Sequence, residues 1–116
     1  MKEIKAIIRP EKFDEVNRGL RKAGFCCMTV FKGEGIGRHG DAEKANPTLE
    51  FPVLHSNIVK IEIMADDNDA EQICSIIQQC GCTGQKGDGV ITVTELDDVI
   101  SVRTGEREEV APYDKQ

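Results

Sequence analysis

Between a helical pattern and a strand pattern lies Thr83-Gly84-Gln85-Lys86-Gly87-Asp88-Gly89. Closely spaced glycines permit positive φ and leave backbone N–H groups unshielded. Such a turn can form a nest for an anion, typically phosphate. A second glycine-rich turn, Gly33-Glu34-Gly35-Ile36-Gly37-Arg38, follows an earlier strand pattern, and Arg103-Thr104-Gly105-Glu106 lies near the end. Two open-backbone loops with separate arginines would suit a phosphorylated small molecule. The alternative is that Gly87-Asp88-Gly89 is a tight hairpin turn, a common use of Asp-Gly. Taken alone, the segment is better read that way.

Other constellations are weaker. Gly35-Ile36-Gly37-Arg38-His39-Gly40 matches G-x-G-x-x-G in letter. The dinucleotide-binding form needs a helix directly afterwards, and Asp41 to Pro47 has no amphipathic pattern. His39 and His55, with Asp41 and Glu43, could ligate a metal, but their spacing matches no standard site, and solvated loop residues are the simpler account. Ser56, His55 and an aspartate compose no distinctive triad. Ser101 and Arg103 would share one face of a short strand, where an arginine could grip phosphate oxygens bidentately or make an ordinary ion pair. No enzyme signature emerges.

The chain of 116 residues is expected to form one domain. Its net charge of −6 argues against nucleic acid as a partner, because that footprint is usually basic. No apolar run is long enough to span a bilayer, so a cytoplasmic protein without direct membrane insertion is expected. The five cysteines, Cys26, Cys27, Cys74, Cys80 and Cys82, form neither a disulfide framework nor a zinc-ribbon spacing, and core packing is expected for them.

Periodicity supplies the elements. Glu3–Arg9 reads as a strand with Ile4, Ala6 and Ile8 on one face and Arg9 on the other. Pro10 opens a helix whose apolar face is Phe13, Val16, Leu20 and Ala23, and Gly24 stops it. Cys26–Lys32 is a second strand. Residues 33–56 have no period and form a long loop. Ile58–Met64 is a third strand, with Val59, Ile61 and Ile63 on one face and Lys60 and Glu62 on the other. Asp66-Asp67-Asn68 with Glu71 resembles a capping box for a helix with Ala70, Ile73, Cys74 and Ile77 along one face. Val90–Thr94 is a fourth strand and Ile100–Arg103 a short fifth. This order fits an α+β, ferredoxin-like double βαβ with an antiparallel sheet and a long loop between strands 2 and 3. Oligomerisation is the simplest cover for its second sheet face.

Lys5-Ala6-Ile7-Ile8-Arg9-Pro10, Met28-Thr29-Val30, Gly35-Ile36-Gly37-Arg38, Lys60-Ile61-Glu62, Asp66-Asp67, Thr83-Gly84, Gly87-Asp88-Gly89 and Arg103-Thr104-Gly105-Glu106 together resemble the PII signalling proteins, almost end to end. The resemblance implies a homotrimer with nucleotide clefts between subunits. It also implies a T-loop at about residues 37–55, a B-loop at about 82–89 and a mobile tail at about 106–116. The ligand would be ATP, ADP or AMP, with Mg2+ as a candidate companion. Gly87, Asp88 and Gly89 would hold phosphates through the backbone. Arg38 would reach them, and Arg103 would arrive from the neighbouring subunit. Ile7, Thr29, Glu62 and Met64 would line the adenosine pocket, and Gly35 and Gly37 complete the implied set. His39 is the candidate effector or metal ligand. Asp41, Glu43, Glu50 and Phe51 would face a protein target, a metabolic enzyme, transporter or regulator.

Departures reshape these expectations. His39 stands where the family usually has Gln, and Ile58 where it has Lys, which points away from 2-oxoglutarate sensing. Val90 replaces a phosphate-binding Lys and Ser101 an Arg, so two charge-assisted bonds of roughly 1.5–3 kcal/mol each are missing. Phe51 lacks the hydroxyl that many bacterial members uridylylate, and Pro47 replaces an Arg used to plug ammonium transporters. The expected function is a non-enzymatic PII-type regulator. The alternatives are a scaffold repurposed for another small anion, or a thiol- or metal-responsive module.

Overall fold

The computed structural model describes residues 1–25, 27–41, 44–48 and 53–108, with the side chain of Arg38 outside that description. Strands β1 (Lys2–Ile8), β2 (Thr29–Gly35), β3 (Ser56–Ala65) and β4 (Gly89–Glu95) alternate with helices α1 (Phe13–Lys22) and α2 (Asp67–Gly81). The sheet order is β2-β3-β1-β4, and every neighbouring pair is antiparallel. This is the ferredoxin-like α+β fold expected from the element order.

Strand alternation decides which sheet face is dry. Ile4, Ala6 and Ile8 of β1 and Val59, Ile61, Ile63 and Ala65 of β3 point to the helices and are buried. Val16 and Leu20 of α1 and Ala70, Ile73 and Ile77 of α2 meet them. Each Val, Leu or Ile among them contributes about 1.5–3 kcal/mol when removed from water. Ala23 is exposed, and Phe25 fills the position expected for it. The cause is the helix end. Gly24, at φ 95°, donates to the Arg21 carbonyl, and Phe25 N–H donates to that of Leu20 at 2.8 Å. That pair of bonds is a Schellman motif, and it folds Phe25 back over Leu20.

Four local expectations are corrected. The first helical turn after Arg9 is a 3-10 turn, Pro10–Lys12, before α1 begins. β2 starts at Thr29, and Cys26 lies outside the described residues. The strand also continues through Gly33 and Gly35, which are therefore not a turn. Glycine at 35 serves close packing, since a Cβ there would overlap the His39 carbonyl oxygen and stand 2.7 Å from Ile58 Cγ2. Asp66 does precede α2, but no side-chain capping bond closes there.

The fifth strand is replaced by a hairpin. Ile100 bridges Arg107, Gly105 N–H returns to the Ser101 carbonyl, and Arg107 pairs with Asp98 at 2.9 Å. Ser101 and Arg103 therefore do not share a strand face, because residues 102–104 form the turn itself. Glu106 and Glu108 bond back to Ser101 and Val99, and residues 109–116 of the expected tail lie outside the described residues.

Candidate ligand cleft and loop root

The glycine-rich loop is organised by the carboxylate of Asp88. It accepts Thr83 N–H at 2.8 Å, Gly84 N–H at 2.9 Å and the Thr83 hydroxyl at 2.5 Å. Arg9 Nε donates to it at 2.9 Å. Burial pushes this carboxyl up, but the Thr83 hydroxyl, the Arg9 guanidinium and the two backbone N–H groups outweigh it. Asp88 is held well below the usual carboxylate range and stays ionised. The N–H groups of Lys86 and Gly87 take no hydrogen-bond partner among the described residues. Gly87 has φ 97°, which suits a turn that presents backbone N–H outward.

This loop borders a cleft of about 450 Å³, lined by Gln85 to Val90 together with Gly37 and Gly40. Four of the sequence-predicted residues thus meet at one place: Gly37, Gly87, Asp88 and Gly89. Arg38 follows Gly37 in a 3-10 turn, Gly37–His39. Gly35 lies buried beneath that turn. Val90 is in the cleft wall, so an apolar side chain stands where a cation would serve a polyphosphate.

The remaining predicted residues lie elsewhere. Thr29, Glu62 and Met64 border a separate cavity of about 340 Å³ with Glu3, Cys27 and Met28. Ile7 lines a third cavity, of about 310 Å³, beside Gly89 and Val90. Arg103 is exposed at the tip of the C-terminal hairpin. Three strand spacings of about 4.8 Å separate β2 from β4, and the register sets Thr29 in line with Thr92, a further roughly 10 Å along β4 from Gly89, so Thr29 and the glycine loop are roughly 18 Å apart.

Arg9 is the functional residue that alternation misplaced. Its side chain was expected on the polar face, but it is only 8% exposed. It donates to the carboxylates of Asp88 and Asp41 and, at 2.9 Å, to the Lys86 carbonyl. Bonding to Asp88 raises its pKa, burial opposes this, and Asp41 adds to the rise. Asp41 was expected to face a partner; the structure turns it inward, with its N–H on Ser56 Oγ at 2.6 Å. Glu43, Glu50 and Phe51 lie outside the described residues. The sequence signal available was Pro10, which ends strand alternation just after Arg9.

The two histidines stand in different settings. His39 is exposed on its turn. His55 is buried, with Nδ1 2.7 Å from the Val53 carbonyl and Nε2 3.3 Å from Glu34. Among the described residues no three His, Cys, Asp or Glu side chains are grouped to hold a metal. Cys27 and Cys82 are exposed, against the expected core packing, while Cys74 and Cys80 are half-buried against the core. Among the described residues no helix is long and apolar enough to cross a membrane.

The chain is similar to known proteins over most of its length. The sequence model of one family, described as Nitrogen regulatory protein P-II, matches residues 1–106. Nitrogen regulatory protein P-II of Azospirillum brasilense is 39% identical over 107 residues, covering 92% of this chain and 96% of that protein. The protein of the same name from Nostoc punctiforme is 38% identical over 107 residues, with the same coverage. Nitrogen regulatory protein P-II 2 of Methanothermobacter thermautotrophicus is 39% identical over 106 residues, covering 91% of this chain and 92% of its own.

Proposed function

The chain belongs to the nitrogen regulatory protein P-II family, and from that premise we propose that it is a cytoplasmic, non-enzymatic regulator. It binds an adenine nucleotide between subunits of a homotrimer. Its long loop then engages a protein target in nitrogen metabolism.

One observation carries this proposal: seven of the expected ligand residues fall into two unlike groups on opposite flanks of one sheet. The glycine loop offers open backbone and a turn, chemistry suited to phosphates. Thr29, Glu62 and Met64 offer a shallow cavity with polar and apolar walls, chemistry suited to a base and sugar. A spacing of roughly 18 Å between Thr29 and the glycine loop is longer than AMP or ADP, so the two do not close on such a ligand within a chain. A neighbouring copy supplies the missing half. The uncovered sheet face supports such assembly, because Phe31 is 46% exposed there beside Lys60 and Glu62. The hairpin supports it too, since Arg103 is exposed at its tip and does not line the cleft of its own chain.

Val90 and Ser101 set the expected preference. With fewer cations at the phosphate end, ADP or AMP gains on ATP, and Mg2+ offsets part of the charge. His39 and Ile58 make 2-oxoglutarate a poor co-ligand. Calorimetric titration with ATP, ADP and AMP in magnesium buffer, with and without 2-oxoglutarate, tests this, alongside mass measurement by light scattering. Saturable heat with at least one nucleotide and a mass of three chains are expected. A monomer, or no heat with any of the three, overturns the proposal.

A further inference from the structure

We propose that Arg9 is a positioning residue that couples the shape of the glycine-rich loop to the root of the long loop. One buried guanidinium bonds to both. Its Nε reaches Asp88 and its Nη2 reaches the Lys86 carbonyl, each at 2.9 Å, while its Nη1 holds the Asp41 carboxylate. Asp41 is tied in turn to β3 through Ser56. The two loops also touch directly. A Cβ on Gly87 would stand 3.1 Å from Asp41 Cα and 3.2 Å from the Gly40 carbonyl oxygen.

The chemistry makes Arg9 a shared component and not a local brace. A buried guanidinium with its planar fork serves three acceptors at fixed angles. If Asp41 leaves, the charge stays buried and loses a partner, and the remaining bonds to Asp88 and Lys86 must readjust. Asp88 orders Thr83 and Gly84, so the readjustment passes into the far side of the glycine loop. Movement of either loop is therefore felt by the other. The coupling stands in the ligand-free chain; its use in signalling rests on the nucleotide reading above.

Amide hydrogen exchange of the ligand-free full chain tests it, with three amides as reporters. Those of Thr83 and Gly84 donate to Asp88, and that of Asp41 donates to Ser56. In Asp41→Ala, exchange at Thr83 and Gly84 is expected to rise by up to about tenfold, the scale of one lost hydrogen bond. Asp88→Asn is expected to raise exchange at residue 41. Arg9→Lys retains the charge but not the fork, and is expected to loosen both loops while β1 and β3 amides stay protected. Loosening confined to the mutated loop in the Asp41 and Asp88 variants, with Arg9→Lys loosening one loop at most, overturns the inference. A parallel titration of the wild type with ADP separates the two ideas: absence of binding removes the nucleotide proposal and leaves the exchange result to decide on Arg9.

Discussion

Gly89 lies so close to Ile7 that a Cβ on it would overlap the Ile7 carbonyl oxygen and stand 2.7 Å from the carbonyl carbon. Its φ is 111°, so the site excludes side chains both by conformation and by space. Gly84 offers the control, with φ 87° and nothing within 4 Å of an added Cβ. Gly84→Ala is expected to cost about 1–2 kcal/mol from φ alone. Gly89→Ala is expected to cost about 3 kcal/mol or more, because strain and overpacking combine. Urea unfolding of both variants measures the difference; equal costs would mean that β4 shifts away from β1 at no penalty.

Asp88 ties stability to acid. Its folded pKa lies below the unfolded carboxylate value of about 3.9, so its contribution is complete above that pH. The contribution is lost as pH falls from there toward the folded value. Asp88→Asn should therefore be less stable than wild type at neutral pH and show a shallower loss below about pH 4. Parallel slopes for the two proteins would place the acid sensitivity in other carboxylates.

Gly19 marks a close approach of the two helices. A Cβ there would stand 2.8 Å from Cys80 Sγ and 3.0 Å from Ile76 Cγ2. Gly19→Ala improves helix propensity by up to about 1 kcal/mol but crowds α2. In the wild-type background it should destabilise. In a Cys80→Ala background, where the sulfur is gone, it should cost less or stabilise. Thermal melts of the four-member cycle measure the coupling, and strict additivity would count against this contact.

The open sheet face should govern assembly. Lys60 Nζ lies 4.9 Å from the centre of the Phe31 ring and 3.2 Å from Glu62. Phe31→Glu adds a carboxylate near Glu62 on this face and removes its aromatic surface. The proposed trimer is expected to dissociate toward monomer, read by sedimentation velocity, with circular dichroism unchanged. A trimer that survives the substitution would put the interface elsewhere.

Val90 stands in the cleft wall, and under the proposed function it limits charge near the phosphates. Val90→Lys is expected to strengthen ATP binding by about tenfold or more, the scale of a charge-assisted bond. AMP, with a single phosphate, should gain less. Adding Ser101→Arg should strengthen ATP further if the hairpin reaches a neighbouring cleft. Calorimetry of both variants checks this, and unchanged ATP affinity would mean that missing cations do not limit the site.

Much of the fold was legible because burial and sequence period coincide. Ile4, Ala6 and Ile8 alternate as a strand with one dry face must, and Gly24 stops α1 as its position suggests. β2 was misplaced because its glycines resemble a turn, whereas Gly35 is in the strand for room against His39 and Ile58. The glycine loop was legible as a candidate site. Arg9 was not, since its partners Asp41 and Asp88 are 32 and 79 residues away, beyond any local pattern. Alternation places Arg9 outward; only the tertiary meeting of two loops makes a buried guanidinium stable. Asp41 was misjudged for the same reason.

The division of ligand residues between two flanks has a genetic signature. A chain damaged at Gly87 retains a sound Thr29–Glu62 flank, and a chain damaged at Glu62 retains a sound glycine loop. Neither variant alone can furnish a whole cleft under the proposed arrangement. Co-expressed, they form mixed rings in which the sound flank of one subunit meets the sound loop of the next. Two silent alleles would then complement each other, because the unit that binds is the seam between chains.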